Sequence, residues 1–381
     1  MSKRLKLGLI FSVNDAWIGG TYYILNLISA LKSLPEIDQP FITILSKNES
    51  DYLIAKETGY PFLKFHNPYS TTRNIIEKIV DKIHKIVFNK YIIDKRITAK
   101  QVDVLFPANN EWVFEKIENK LFWFPDFQHI VYPGFFSSDE IKNRNEAVNQ
   151  IAQSNQNLLL SSNAAKADWD ALAIKKNCTV HVIPFAVTHP HLDDVMISEV
   201  LDEFGIKGKY FIVSNQFWVH KNYMVVLKAA LLMSRENAEL QFIFTGKEDD
   251  YRHPGYFKTI TDFVTSNNLA TNIKMLGLID RKKQLRLMQY STAVIQPSLF
   301  EGWSTVIEDA KSLGCAIIAS NIAVHKEQLN NDAFYFDPLN EYDLAEKINE
   351  CLAKKSQRSL NYQTNIESFG KSFLEIIKKA V

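Results

Sequence analysis

The chain has 381 residues, 46% hydrophobic and 23% charged, a globular composition with room for two domains of ordinary size. Its formal net charge of +1 gives no global field to draw in nucleic acid, so any basic patch must be local. Cys178, Cys315 and Cys351 are widely spaced and odd in number, which suits a reducing, cytoplasmic setting, and the nine scattered histidines form no paired metal motif, so no metal or cofactor is expected.

From the N-terminus, Leu5 to Val13 reads as a first strand rather than a signal peptide, because the apolar run is short and Asp15 soon follows. Gly19 and Gly20 then fall in a loop, and Tyr22 to Leu31 is helical by its apolar spacing. Two glycines ahead of a helix let backbone approach a ligand, although a plain tight turn is the more common meaning. Phe41 to Leu45 is a second strand. The segment 71–100 differs in kind: Ile75, Ile76, Ile79, Val80, Ile83, Ile86 and Val87 share one helical face, with lysines elsewhere on the wheel. That face can pack on the N-terminal sheet, the favoured reading, while the basic side stays free for peripheral contact with an anionic membrane. No stretch approaches the roughly 20 apolar residues of a membrane span.

Val102 to Phe106 is a further strand. FWFPDFQHIVYPGFF follows at 122–136, where Pro125 stops a strand and Asp126 and His129 lie just beyond it. His129 could hydrogen-bond a ligand hydroxyl with Asp126 orienting it; a histidine satisfied by backbone in a turn is an equal reading. LLLSS at 158–162 is a buried strand, and Ser162 or Asn163 caps the next helix. VHVIPF is a short strand, and AVTHPHLDD after it has no periodicity and reads as an interdomain linker near 188–205.

A second sheet opens at Tyr210 to Ser214, with a loop carrying Gln216, His220, Lys221 and Asn222 before the next helix. LQFIFTG and IKMLGL are further strands, the latter leading to Leu278 and Ile279. The richest stretch is IQPSLFEGWSTVIEDAKSLGCAIIAS, 295–320: strand, loop, helix, strand. Pro297 and Ser298 break the first strand, Ser304 or Thr305 stands at the N-cap, and Gly314 ends the helix. Free amides near Ser304, Thr305 and Val306 can hold a phosphate. Glu301, on the approach with Gly302 and Trp303, can accept sugar hydroxyls. A phosphate site beside a hydroxyl-reading carboxylate is what a nucleotide-sugar donor requires.

PSLFEGW at 297–303, the helix with Asp309–Ala310, and Gly314 make the chain resemble glycosyltransferase family 4, retaining enzymes, and DFQH at 126–129 resembles a bacterial polysaccharide-making subset. The resemblance implies the GT-B fold, α/β, with two Rossmann-like domains facing each other across a cleft. The domains are expected at 1–187, with a returning helix at 365–381, and at 188–364. It further implies that Glu301 contacts the donor sugar and that Asp309, one methylene shorter than the usual Glu, meets the ribose; adjacent Glu308 points about 100° away on the helix. By the same resemblance Lys221 matches a Lys that contacts the donor diphosphate, and Gln216 stands where an Arg is usual, with His220 or Asn222 beside it to compensate. Leu278 and Ile279 lie where backbone reads the base, and Gly19 and Gly20 face the donor from the first domain.

The implied activity is transfer of a sugar, with retention and without metal, from a nucleotide-diphosphate sugar to a hydroxyl of a glycan or lipid-linked acceptor, in bacterial surface polysaccharide synthesis at the inner face of the plasma membrane. A nucleotide-sugar epimerase or phosphorylase of the same fold, or an inactive nucleotide-sugar binder, are the competing readings.

Overall fold

Parallel strands alternating with helices build two separate sheets in the computed structural model of the chain, which describes residues 4–14, 18–69, 79–80, 82–83, 86, 97–98, 100–354 and 361–381. The first sheet contains β1 (Lys6–Ile10), β2 (Phe41–Leu45), β3 (Leu63–His66), β4 (Val104–Phe106), β5 (Asn119–Trp123), β6 (Asn157–Leu160) and β7 (Thr179–Val182), in the order β3-β2-β1-β4-β5-β6-β7. The second contains β8 (Tyr210–Ser214), β9 (Gln241–Thr245), β10 (Ile273–Gly277), β11 (Ala293–Gln296), β12 (Ile317–Ser320) and β13 (Phe334–Phe336), in the order β10-β9-β8-β11-β12-β13. Strands β8, β9, β11 and β12 are buried along their whole length, as expected for parallel strands covered on both faces.

The helices follow in turn: α1 (Ile18–Lys32), α2 (Glu49–Lys56), α3 (Gln128–Val131), α4 (Ser138–Ala152), α5 (Asn163–Ala171) and α6 (Ile197–Glu203). Then come α7 (Tyr223–Glu236), α8 (Tyr256–Ser266), α9 (Arg281–Tyr290), α10 (Thr305–Ser312), α11 (Ala323–Leu329), α12 (Glu341–Ala353) and α13 (Gln363–Lys379). The stretch expected to be an unstructured linker therefore contains one short helix, α6, whose Val200 packs with Leu285 and Met288 of α9 in the second core. The last helix, α13, returns to the first lobe, where Phe369, Phe373, Leu374 and Ile377 join Leu27 and Leu31 of α1 in one apolar cluster.

Each sheet reverses its strand order once, between β1 and β4 in the first and between β8 and β11 in the second. Open parallel sheets bind ligands in the crevice at the carboxyl ends of the strands beside such a reversal. Here the two crevices face one another. Of the amphipathic segment expected at 71–100, Ile79, Val80, Ile83 and Ile86 are exposed rather than packed on the sheet, Ile97 is buried in a cluster with Val113 and Phe114, and most of the rest lies outside the described residues.

Candidate active site in the cleft between the lobes

A cavity of about 500 Å³ lies between the lobes, lined by loops that leave the carboxyl ends of both sheets. Its volume is in the range of pockets that hold nucleotide-sized ligands. The lining brings together Gly19, Asp126, Gln216, Lys221, Leu278, Ile279, Asp309 and the whole run Glu301 to Val306. Residues far apart in the chain thus converge on one space.

The loop after β11 is shaped by Glu301. Its Oε1 accepts from Lys221 Nζ at 2.6 Å, Ser298 Oγ at 2.7 Å and Gln296 Nε2 at 2.9 Å. Glu301 lines the cavity, and among the described residues nothing bonds Oε2, so one oxygen fixes the side chain and the other is left without a protein donor. Lys221 is placed by the short 3-10 turn 219–221, which ends on Asn222 in the left-handed region at φ 55°. Asn222 Nδ2 donates to Pro297 O at 3.1 Å and Pro338 O at 2.7 Å, tying this loop to the one carrying Glu301.

At the start of α10, Ser304 is the N-cap and its Oγ accepts from Ile307 N. The sequence reading is corrected in one respect: the Ser304 amide is not free, because it donates to Gln328 Oε1 at 3.0 Å. The Thr305 and Val306 amides occupy the first two helical positions, which have no intrahelical acceptor, and both residues line the cavity. A helix N-terminus with these donors carries partial positive charge toward the cleft.

Asp309 lines the cavity but its carboxylate is already engaged. Arg281 Nη2 donates to both of its oxygens at 2.7 Å, and His189 Nδ1 lies 3.8 Å away. Burial works against the charge of Arg281, and the adjacent Asp309 carboxylate overrides it, holding the guanidinium charged. The Arg281 guanidinium also stands 5.0 Å over the Tyr22 ring from the opposite lobe. Glu308 turns the other way. Its carboxylate receives Lys311 Nζ, Gln328 Nε2 and Tyr362 Oη, and it is 1% exposed.

Three further expectations are corrected. Gly19 and Gly20 lie in the first turn of α1 rather than in a loop, a position where a glycine costs little because the amides there are unpaired; Gly19 lines the cavity and Gly20 is buried behind it. His129 does not reach the cleft: Arg144 Nε donates to its Nδ1 at 3.0 Å and its Nε2 pairs with Asn145 Oδ1 at 3.2 Å. Burial, with Arg144 adding to it, lowers its pKa to about 4, so it is a neutral core histidine. Asp126 does line the cavity, with its carboxylate held by Arg144 at 2.8 Å. Neither neighbour of Lys221 supplies a replacement cation, since burial keeps His220 neutral and the Asn222 amide is committed to the two prolyl carbonyls.

Sequence reasoning missed Lys247 and Arg281, both in the cavity wall. A signal existed for each: Lys247 follows the glycine that ends a strand, and Arg281 is the first residue of a helix capped by Asp280.

Residues 201–371, which carry most of the carboxy-terminal lobe, match the family model described as Glycosyl transferases group 1. Protein CapJ of Staphylococcus aureus is 26% identical over 179 residues, covering 46% of this chain and 43% of that protein, so the match spans less than half of that curated relative. The crystal structure of a glycosyltransferase from Rickettsia africae aligns with TM-score 0.64 and 14% identity over 100% of this chain and 94% of its own. That of Anabaena Alr3699/HepE in complex with UDP and glucose aligns with TM-score 0.64 and 14% identity, over 99% and 97%. At this identity the likeness speaks for the fold, which is GT-B: two parallel α/β lobes across a cleft.

Proposed function

We propose that the protein is a retaining glycosyltransferase of the family 4 type, moving a sugar from a nucleotide-diphosphate sugar to a hydroxyl of a glycan or lipid-linked acceptor, without metal or cofactor. The group 1 match of the carboxy-terminal lobe and the GT-B likeness to an Anabaena protein that binds UDP and glucose support a nucleotide-sugar donor. The observation that carries the reading is Glu301 in the cavity wall, its Oε1 accepting three hydrogen bonds, beside the amides that open α10.

In this reading the donor sugar sits against Glu301 Oε2, which accepts its hydroxyls. The diphosphate rests between Lys221 and the Thr305 and Val306 amides. As the bond from the anomeric carbon to the phosphate oxygen breaks, negative charge grows on the diphosphate, and fixed donors stabilise that charge without reorganising. The acceptor hydroxyl attacks the anomeric carbon from the same face, and its proton passes to the departing phosphate oxygen. Asp126 lines the first-lobe side, where the acceptor approaches. Leu278 and Ile279 border the base, and Asp309 with Arg281 the ribose. The setting is bacterial surface polysaccharide synthesis, in the cytoplasm or at the inner face of its membrane.

Calorimetry with a panel of nucleotide sugars, followed by turnover with glycan and lipid-linked acceptors, tests this. At least one donor binds and is consumed, and Glu301→Ala lowers turnover by about two to three orders of magnitude. Near-normal rates in Glu301→Ala would remove its role. Donor binding without turnover would favour a nucleotide-sugar-binding protein.

A further inference from the structure

We propose that Lys247 supplies the uncompensated positive charge that holds the donor's diphosphate, an inference that rests on the nucleotide-sugar reading above. The charges in the cavity wall lead to it. Lys221 is paired with Glu301, Arg281 with Asp309, and Asp126 with Arg144. His220 is kept neutral by burial. These pairs cancel, so the wall they form is close to neutral. A diphosphate brings about two negative charges into a partly desolvated space, where unbalanced charge is costly. The amides at the start of α10 offset only about half a charge.

Lys247 is the remaining cation of the wall, and among the described residues its ammonium has neither a salt bridge nor a hydrogen bond. Two of the three acidic residues that follow it have other partners or neighbours. Asp250 accepts from the Val219 and Arg252 amides, and Glu248 lies against Gly277. The backbone of Lys247 is fixed beside the β8 loop, with its carbonyl accepting from Phe217 N at 3.0 Å. Gly246 makes that approach possible, at φ +140° and with room for no side chain: a Cβ would stand 1.9 Å from Asn215 O. Positions 216 and 247 therefore enter the cavity from adjacent backbone, one neutral and one charged.

The test uses the full chain and calorimetric titration with UDP, GDP and ADP and with the three matching nucleosides. For the nucleoside diphosphate that wild type binds, Lys247→Met should weaken binding about tenfold or more while leaving the nucleoside affinity within about twofold. Lys247→Arg keeps the charge and should stay close to wild type. Gln216→Arg added to Lys247→Met returns a cation from the neighbouring backbone and should recover most of the loss. Lys247→Gln serves as a second charge-removing variant, with circular dichroism confirming the fold of each. Wild-type affinity for the diphosphate in both charge-removing variants, alongside lost binding in Lys221→Met, overturns the inference and leaves the nucleotide-sugar reading standing. Equal loss for diphosphate and nucleoside overturns it too, since that marks a structural role. Failure of wild type to bind any of the three diphosphates overturns the reading and this inference together.

Discussion

Gly302 is where the two lobes come closest to the chemistry. A Cβ built there would stand 2.0 Å from Pro125 O and 3.1 Å from Asp126 Cβ, both in the opposite lobe. The carbonyl lies two residues beyond β5, next to Phe124, whose amide donates to Leu159 O at 3.3 Å. The lobes can yield by opening, which costs little within either core. Gly302→Ala is therefore expected to keep a thermal midpoint near wild type. Its turnover should fall by as much as about a hundredfold, because a displacement near 1 Å at a reacting centre has that effect. Turnover within a few-fold of wild type would show that the cleft works without closing this tightly. At this scale part of the site could be read from local pattern: Glu301 and the cap of α10 sit in one strand–loop–helix run whose geometry the residues themselves dictate, while Lys221, in the loop after β8, was assigned by resemblance. His129 could not be read that way. It is three residues from Asp126, but it lies within the short helix α3, where it is buried, while Asp126 stands before that helix and lines the cavity.

The first turn of α5 shows how elements, rather than single residues, set the relation of the lobes. Ser162 caps it from within, its Oγ accepting from Ala165 N at 2.9 Å. The two preceding amides are capped from the other lobe. Glu327 of α11 accepts from Asn163 N at 2.7 Å and Asn163 Nδ2 at 2.9 Å through Oε1, and from Ala164 N at 3.0 Å through Oε2. A carboxylate at a helix N-terminus gains from hydrogen bonds and from the helix dipole. The site is partly exposed, so Glu327→Ala should cost only about 1 kcal/mol in chemical denaturation. Glu327→Gln should fall between, since the amide oxygen still accepts but carries no charge. An unchanged denaturation midpoint in Glu327→Ala would mean that water replaces this contact at no cost. The alternation of strands and helices was legible from apolar periodicity, while the return of the last helix was implied by the resemblance. This cap was not, because its partners lie 164 residues apart and neither stands out locally. Lys247 and Arg281 did carry local signals, but each gains its meaning only from the strand order that carries it to the cleft.

For the whole molecule, the question is what makes two lobes with separate cores respond as one. Tyr362 answers it in part. Its hydroxyl donates to Glu308 Oε2 at 2.6 Å and accepts from Val187 N at 3.0 Å. Three segments meet there: the crossover between the sheets, the helix that opens onto the cavity, and the start of the helix that returns to the first lobe. Burial, followed by the charge of Glu308, raises the Tyr362 pKa well above its ordinary value, so the phenol stays protonated and remains a donor. Tyr362→Phe keeps the ring and removes the link, leaving a buried carboxylate oxygen and a buried amide without this partner. The expected loss is about 1–3 kcal/mol in urea unfolding. If the node only supports the core, the loss ends there. If it ties α10 to the first lobe, the same variant also binds a nucleoside diphosphate more weakly, because its amides are held less firmly in place. Titration of wild type and variant under one set of conditions separates the outcomes. Weakened binding is expected, and wild-type affinity in a destabilised variant would confine Tyr362 to a structural role.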